Sequence, residues 1–173
     1  MRVFLFFFFT FFLIFTTQSN ASEKIVFIDI NFIFNNSDAG KDLKKKISEK
    51  NDIINNEINK FKVDIENKKK KLLAQKNVMS VEEYNKKVNA LEKQIQEMNI
   101  TITNKKKEFA IYQKQLENSF SKSLNKFIEQ FSEKNSIDII LNKENLLMAK
   151  KKLNITDQIF ELFNTQVKTI NLN

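Results

Sequence analysis

The sequence predicts a mainly α chain with a small β body. A long antiparallel coiled-coil hairpin, a tentacle, projects from a short-stranded oligomerisation body. Three observations carry this. Apolar residues recur at heptad a and d spacing through two long series. A helix-starting signal, Ser80-Val81-Glu82-Glu83, separates the two series. Short β-branched runs lie on either side of the heptad region, at Lys24 to Ile30 and from Ser136 onward.

The first segment, MRVFLFFFFTFFLIFTTQSNAS, has a basic start at Arg2, an apolar run from Val3 to Phe15 and a small-x-small pattern at Ser19-Asn20-Ala21. That is the pattern of a secretory signal peptide over residues 1–21. As a helix the apolar run reaches only about 20 Å, short of a bilayer core of about 30 Å. The remaining chain, 22–173, reads as one domain. Its body is 22–42 with 118–173, and its arm is 43–117 with a tip near 77–80.

Strand character at Lys24 to Ile30 (KIVFIDI) comes from β-branched residues on both faces. The following NFIFNN reads as a turn or a single helical turn. Ser37 or Asp38 can cap the next helix, and Asp38 and Asp42 suit its positive end. Along that helix Ile47, Ile54 and Phe61 take one core position, and Ile58, Ile65 and Leu72 the other. Asn51 and Lys68 are the polar exceptions. At the tip, Ser80 and Glu83 form a capping box, and Met79 and Tyr84 occupy the positions of a hydrophobic staple. KNV before it is the turn. The second series runs through Tyr84, Val88, Leu91, Ile95, Met98, Ile102, Phe109, Tyr112 and Leu116, with Lys105 as its exception. A turn near residue 78 would pair Leu72 with Tyr84, Ile65 with Leu91, Ile58 with Met98 and Ile47 with Phe109. Each such pair sets an a position against a d position, as antiparallel packing requires. Asn51 would then face Lys105 in one polar layer.

After Leu116 the stripe continues at Phe120, Leu124, Phe127 and Phe131, and its first two steps are both four residues. That stutter relaxes the supercoil and takes the helix into a bulkier, Phe-rich core. Ser136 to Leu153 reads as a strand, a turn at Asn142 to Asn145 and a second strand. Thr156 or Asp157 caps a closing helix with Ile159, Phe160, Leu162 and Phe163 on its apolar face. About three short strands with open edges make a marginal sheet alone, so the body is expected to oligomerise. The residues expected to bury themselves in the body and its subunit contacts are Ile25, Phe27, Ile28, Ile137, Ile139 and Ile140.

Composition removes whole classes of function. The chain carries 29 basic and 21 acidic residues, a net charge of +8, with no Cys and no His. Disulfides, Cys/His zinc sites and His-activated nucleophiles are therefore excluded. One glycine, Gly40, leaves no glycine-rich phosphate loop. Asp29, Asp138 and Asp157 are the candidate acid/base carboxylates, but each sits at a strand or helix boundary where capping and turns use such residues. No enzyme activity, cofactor or metal is expected. Arg2 is the only arginine, so basic charge beyond the leader comes from lysine, a point charge poorly matched to bidentate phosphate recognition. Secretion and the lack of aromatics interleaved with the lysines argue against nucleic acid. Contact with a membrane surface stays open. Around the tip, Lys68, Lys69, Lys70, Lys71, Lys76, Lys86 and Lys87 make a net-positive cluster, partly offset by Glu82 and Glu83. A lysine run is commonly just a solvated face. Its functional reading is a positive field that draws acidic unfolded chains.

The arrangement resembles the Skp (OmpH-like) family of periplasmic chaperones over nearly all of the chain beyond the leader. KIVFIDINFIFNNSDAGK is similar to the family's opening strand and its N-x-S-x-A-G-K segment. MSVEEYNKKVNALEKQ resembles the hairpin tip and returning helix. SIDIILNKENLLMAKKKLNITDQIFELFN resembles the closing strands and helix, with I-T-D the sharpest piece. Asp38 stands where many members have Pro, and Asn154 where many have Asp; both departures bear on local capping and not on the fold. The resemblance implies a homotrimer whose strands form a central body and whose three hairpins surround a cavity. It implies a periplasmic, ATP-independent holdase that binds unfolded outer-membrane proteins. A structural coiled-coil spacer of the cell envelope is the alternative, but a spacer would need a cleaner, longer core and no β body.

Overall fold

The computed structural model describes residues 23–172. The signal peptide expected over 1–21 lies outside the described residues. Strand β1 (Ile25–Ile28) is followed by helix α1 (Ile30–Asn36), helix α2 (Asp38–Ala74), a 3-10 turn at Lys76–Val78 and helix α3 (Val81–Lys134). Strand β2 (Ile139–Asn142), two further 3-10 turns and helix α4 (Thr156–Gln166) complete the order.

Local chemistry explains the boundaries. Asp29 caps α1 by accepting from the Phe32 amide at 2.8 Å. NFIFNN is thus part of a seven-residue helix rather than a single turn. Ser37 separates α1 from α2, and its Oγ accepts from the Gly40 amide at 3.1 Å. Helix α2 runs 37 residues, about 55 Å at 1.5 Å per residue. Ser80 caps α3 as expected, accepting from the Glu83 amide at 3.2 Å. The Glu83 carboxylate turns to Lys87, at 3.6 Å, so the pairing back to Ser80 is not the contact it makes. Helix α3 stops at Lys134 and the chain reverses through Ser136, whose φ is 50°. The closing helix is capped from outside its own first turn. Asn154 Oδ1 accepts from the Thr156 amide at 2.9 Å, and the Thr156 hydroxyl accepts from the Asp29 amide at 2.9 Å. Asp157 lies in the first turn and is exposed.

β1 and β2 pair in parallel, with Ile25 beside Ile139, Val26 beside Ile140, Phe27 beside Leu141 and Ile28 beside Asn142. The whole hairpin is their crossover. The second strand expected before Leu153 is not formed. Phe27 makes a single bridge with Asn154, and its carbonyl accepts from the Ile155 amide at 3.0 Å. That contact takes the far edge of β1, so within one chain the run Leu146 to Ala149 finds no ladder.

Beneath the sheet lies one core. Val26, Ile28, Ile33, Ala39, Leu43, Leu116, Phe120, Leu124, Ile137, Ile155, Ile159, Phe163 and Ile170 form it. Phe120 is its hub, with ring centroids 5.2 Å from Phe34 and 5.3 Å from Phe163, both edge-on. Here the stuttered stripe of α3 leaves its coiled-coil partner for the body, as its phase predicts.

Candidate functional site

Two regions meet the sequence-based expectations, the arm with its tip and the exposed face of the sheet. In the arm α2 and α3 lie antiparallel, and beyond its root, where Leu43 and Leu116 enter the core, only Ile54, Ile58 and Ile65 are buried. Phe61, expected in the core, is 40 % exposed. A two-helix arm covers each side chain from one direction only.

The register differs from the expected one. Lys105 Nζ lies 2.6 Å from Glu57 Oε2, and Lys68 Nζ donates to Gln94 Oε1 at 3.1 Å. Leu72 shares a cleft with Ala90 and Leu91 rather than lying level with Tyr84. α3 is displaced by about one heptad from the pairing expected for the tightest turn. Asn51 is accordingly exposed and does not face Lys105. Lys105 is half-buried and reaches the edge of the arm to meet Glu57. That contact holds the Glu57 carboxyl below its usual value and raises the Lys105 ammonium, first through the hydrogen bond and also through opposite charge.

The same shift rearranges the tip lysines. Lys68, Lys71 and Lys87 line one small cleft between the helices, together with Leu72, Ala90 and Leu91. Lys68 pairs with Asp64 at 2.7 Å, and Lys70 approaches Glu66 at 3.9 Å. Lys76 sits over the Tyr84 ring, 5.9 Å from its centroid. Among the described residues Lys69, Lys71, Lys76 and Lys86 have no carboxylate within ion-pair distance. Lys68, Lys70 and Lys87 are thus paired, by Asp64, Glu66 and Glu83, and the other four lysines keep the cluster net positive.

In the body, Phe27, Ile28 and Ile137 are buried within the chain itself and Ile140 is half-buried. Ile25 and Ile139, adjacent in the ladder, are 39 % and 41 % exposed, and Leu141 beside them is 38 % exposed. Leu147 and Met148 follow, both fully open to solvent. Sequence reasoning missed Leu141 on this face, and Leu147 and Met148 as exposed apolar residues after it. The signal for the last two was present, as an apolar run after the turn. The candidate carboxylates have structural employment. Asp29 caps α1 and accepts from Lys143 Nζ at 2.7 Å; this bond, with help from the Phe32 amide and the Lys143 charge, holds its carboxyl below the usual value despite partial burial. Asp138 accepts from the Lys24 amide at 2.6 Å. Among the described residues no group of three or more acidic side chains could hold a metal ion, and no helix is long and apolar enough to cross a membrane.

A family model described as outer membrane protein (OmpH-like) matches residues 24–163. The chain belongs to the OmpH-like family. Among solved structures, a Caulobacter crescentus protein assigned as an OmpH-like outer membrane chaperone superimposes with a TM-score of 0.80. The two are 17 % identical, and the match covers 88 % of this chain and 90 % of that one. At that identity the likeness is one of fold. No curated protein matches the sequence. The OmpH-like match spans both halves of the body and the entire arm, so the shifted register and the open sheet face belong to a member of the OmpH-like family.

Proposed function

We propose that this OmpH-like chain is an ATP-independent holdase of the periplasm that binds unfolded outer-membrane proteins and keeps them from aggregating. It works as a homotrimer, delivered by cleavage of its leader. The observation that carries the reading is a long arm of low burial standing on a body whose sheet presents Ile25, Ile139 and Leu141 to solvent. A single chain leaves that face uncovered. Three copies packed through it would bury the face, give Leu146 to Ala149 a ladder partner and set three arms around one space. Such a space suits a client without fixed shape, because many weak contacts lower the free concentration of the unfolded state by mass action. The tip lysines would draw acidic segments toward the mouth.

The test is to dilute a urea-unfolded β-barrel membrane protein into buffer containing the purified chain from Ser22, without nucleotide. Light scattering should stay low at about one trimer per client, and the oligomer should sediment as a trimer. Unchanged aggregation beside an intact trimer would overturn the holdase reading and favour the envelope spacer.

A further inference from the structure

We propose that the extended segment after α4, residues 167–172, is a strap that fixes the root of the arm to the body and limits how far the arm swings. The two arm helices are anchored unequally. α3 runs 54 residues without a break, and its later turns carry Leu116, Phe120 and Leu124 into the core. α2 begins at the body surface and contributes only Ala39, Gly40 and Leu43 as buried residues there. Any bending of the arm must therefore move the first turns of α2 against the body.

The strap lies on those turns. Its hook is Ile170, 4 % exposed and part of the core. Its polar contacts fall on Asp38, Asp42 and Lys46, a single stripe at four-residue spacing along α2. Lys168 Nζ meets Asp38 Oδ2 at 2.8 Å. The Ile170 amide donates to Asp42 Oδ2 at 3.3 Å, and the Ile170 carbonyl accepts from Lys46 Nζ at 2.6 Å. Lys46 also reaches Asn171 Oδ1 at 3.3 Å and pairs with Asp42 at 2.8 Å. One turn of α4 earlier, Asn164 Oδ1 accepts from the Asp38 amide at 2.7 Å. Strand and helix are absent from the segment, so it can open locally without unfolding the body. On a lever of about 55 Å, a rotation of about 5° at the root moves the tip by about 5 Å.

The test uses the full chain without any client, so its result is independent of the holdase reading. Ile170→Asp removes the hook. Asp42→Ala with Lys46→Ala removes the polar contacts to Ile170 and Asn171 while leaving every core side chain, and decides the matter if the first variant does not fold. Hydrogen exchange of amides 41–47 should rise about tenfold in each folded variant, with 58–65 and 116–124 unchanged. Because the chain has no cysteine, spin labels at Asn67→Cys on α2 and Gln158→Cys on α4 report the swing directly, and their distance distribution should broaden. Unchanged exchange at 41–47, or faster exchange spread equally over all three segments, would overturn the strap. So would an unchanged label distribution.

Discussion

Gly40, the one glycine of the chain, stands where a side chain has no room. A Cβ built there would lie 1.8 Å from the Phe34 carbonyl oxygen and 3.1 Å from Ser37 Oγ. The end of α1 crosses the first turn of α2 at that point, and Ser37, Ala39 and Gly40 are all buried beneath it. Gly40→Ala is predicted to destabilise the body by about 3 kcal/mol, read from the urea midpoint; an unchanged midpoint would mean the crossing is not close. At the other end of α1, Asp29 ties the helix start to the turn after β2 through Lys143. Its carboxyl titrates below the ordinary 3.8, so its contribution is complete above that value and is lost as pH falls toward the lower folded value. Lys143→Gln should remove this acid-dependent part of the stability. The urea midpoints of variant and parent are expected to differ at neutral pH and to converge as the pH falls below the lowered folded value. A constant difference down to acid pH would show that the pair adds nothing.

At the scale of elements, the hairpin shows what a heptad pattern can and cannot specify. Apolar spacing fixes which face of each helix is turned inward. Sliding one helix by seven residues restores nearly the same set of a and d partners, so spacing alone does not choose between registers. The tip segment from Gln75 to Ser80, with its 3-10 turn, and the packing of both roots in the body select the displaced one. Two cysteine pairs distinguish the registers in a chain that has no other cysteine. Leu72→Cys with Leu91→Cys should cross-link on oxidation, and Leu72→Cys with Tyr84→Cys should not. Efficient cross-linking of the second pair alone would restore the tighter turn. The missing strand has a related cause. Leu146 to Ala149 has strand composition, but a ladder needs an edge, and β1 gives its far edge to Asn154 and Ile155.

For the whole molecule, the predictions concern assembly and capture. Ile139 lies beside Ile25 on the open face of the sheet, and a carboxylate there would have to be desolvated in any subunit contact. Ile139→Asp should shift sedimentation from trimer to monomer while far-UV circular dichroism keeps its helical signal, since the side chain is exposed in one chain. A trimer unaffected by the change would remove this face from the interface. At the tip, replacing Lys68, Lys69, Lys86 and Lys87 by Gln should slow capture of an acidic client severalfold at low salt and leave the oligomer intact. Exposed charges are screened beyond about 10 Å at 0.1 M salt, so the difference should shrink as salt rises. Equal capture rates at low ionic strength would make these lysines a solvated face and nothing more.

The sequence by itself determined α2, α3 and α4, their order, the tip and the point where α3 leaves the arm, while α1 was legible only as a turn or a single helical turn. Those features rest on local rules: the Ser80 cap, the Ser37 cap, the a and d spacing, and the four-residue steps from Leu116 to Leu124. It also marked Gly40 as singular without saying why, because the carbonyl that excludes its Cβ comes from a different helix. Tertiary structure alone decided the register of the arm, the pairing of Lys105 with Glu57, the parallel pairing of two strands separated by the entire hairpin, and the placement of Ile170 and Lys168 on the root of α2. Each of these brings together residues far apart in the chain whose own neighbours permit several partners. Local propensity cannot rank such partners; the packing of both ends of the hairpin into one core does.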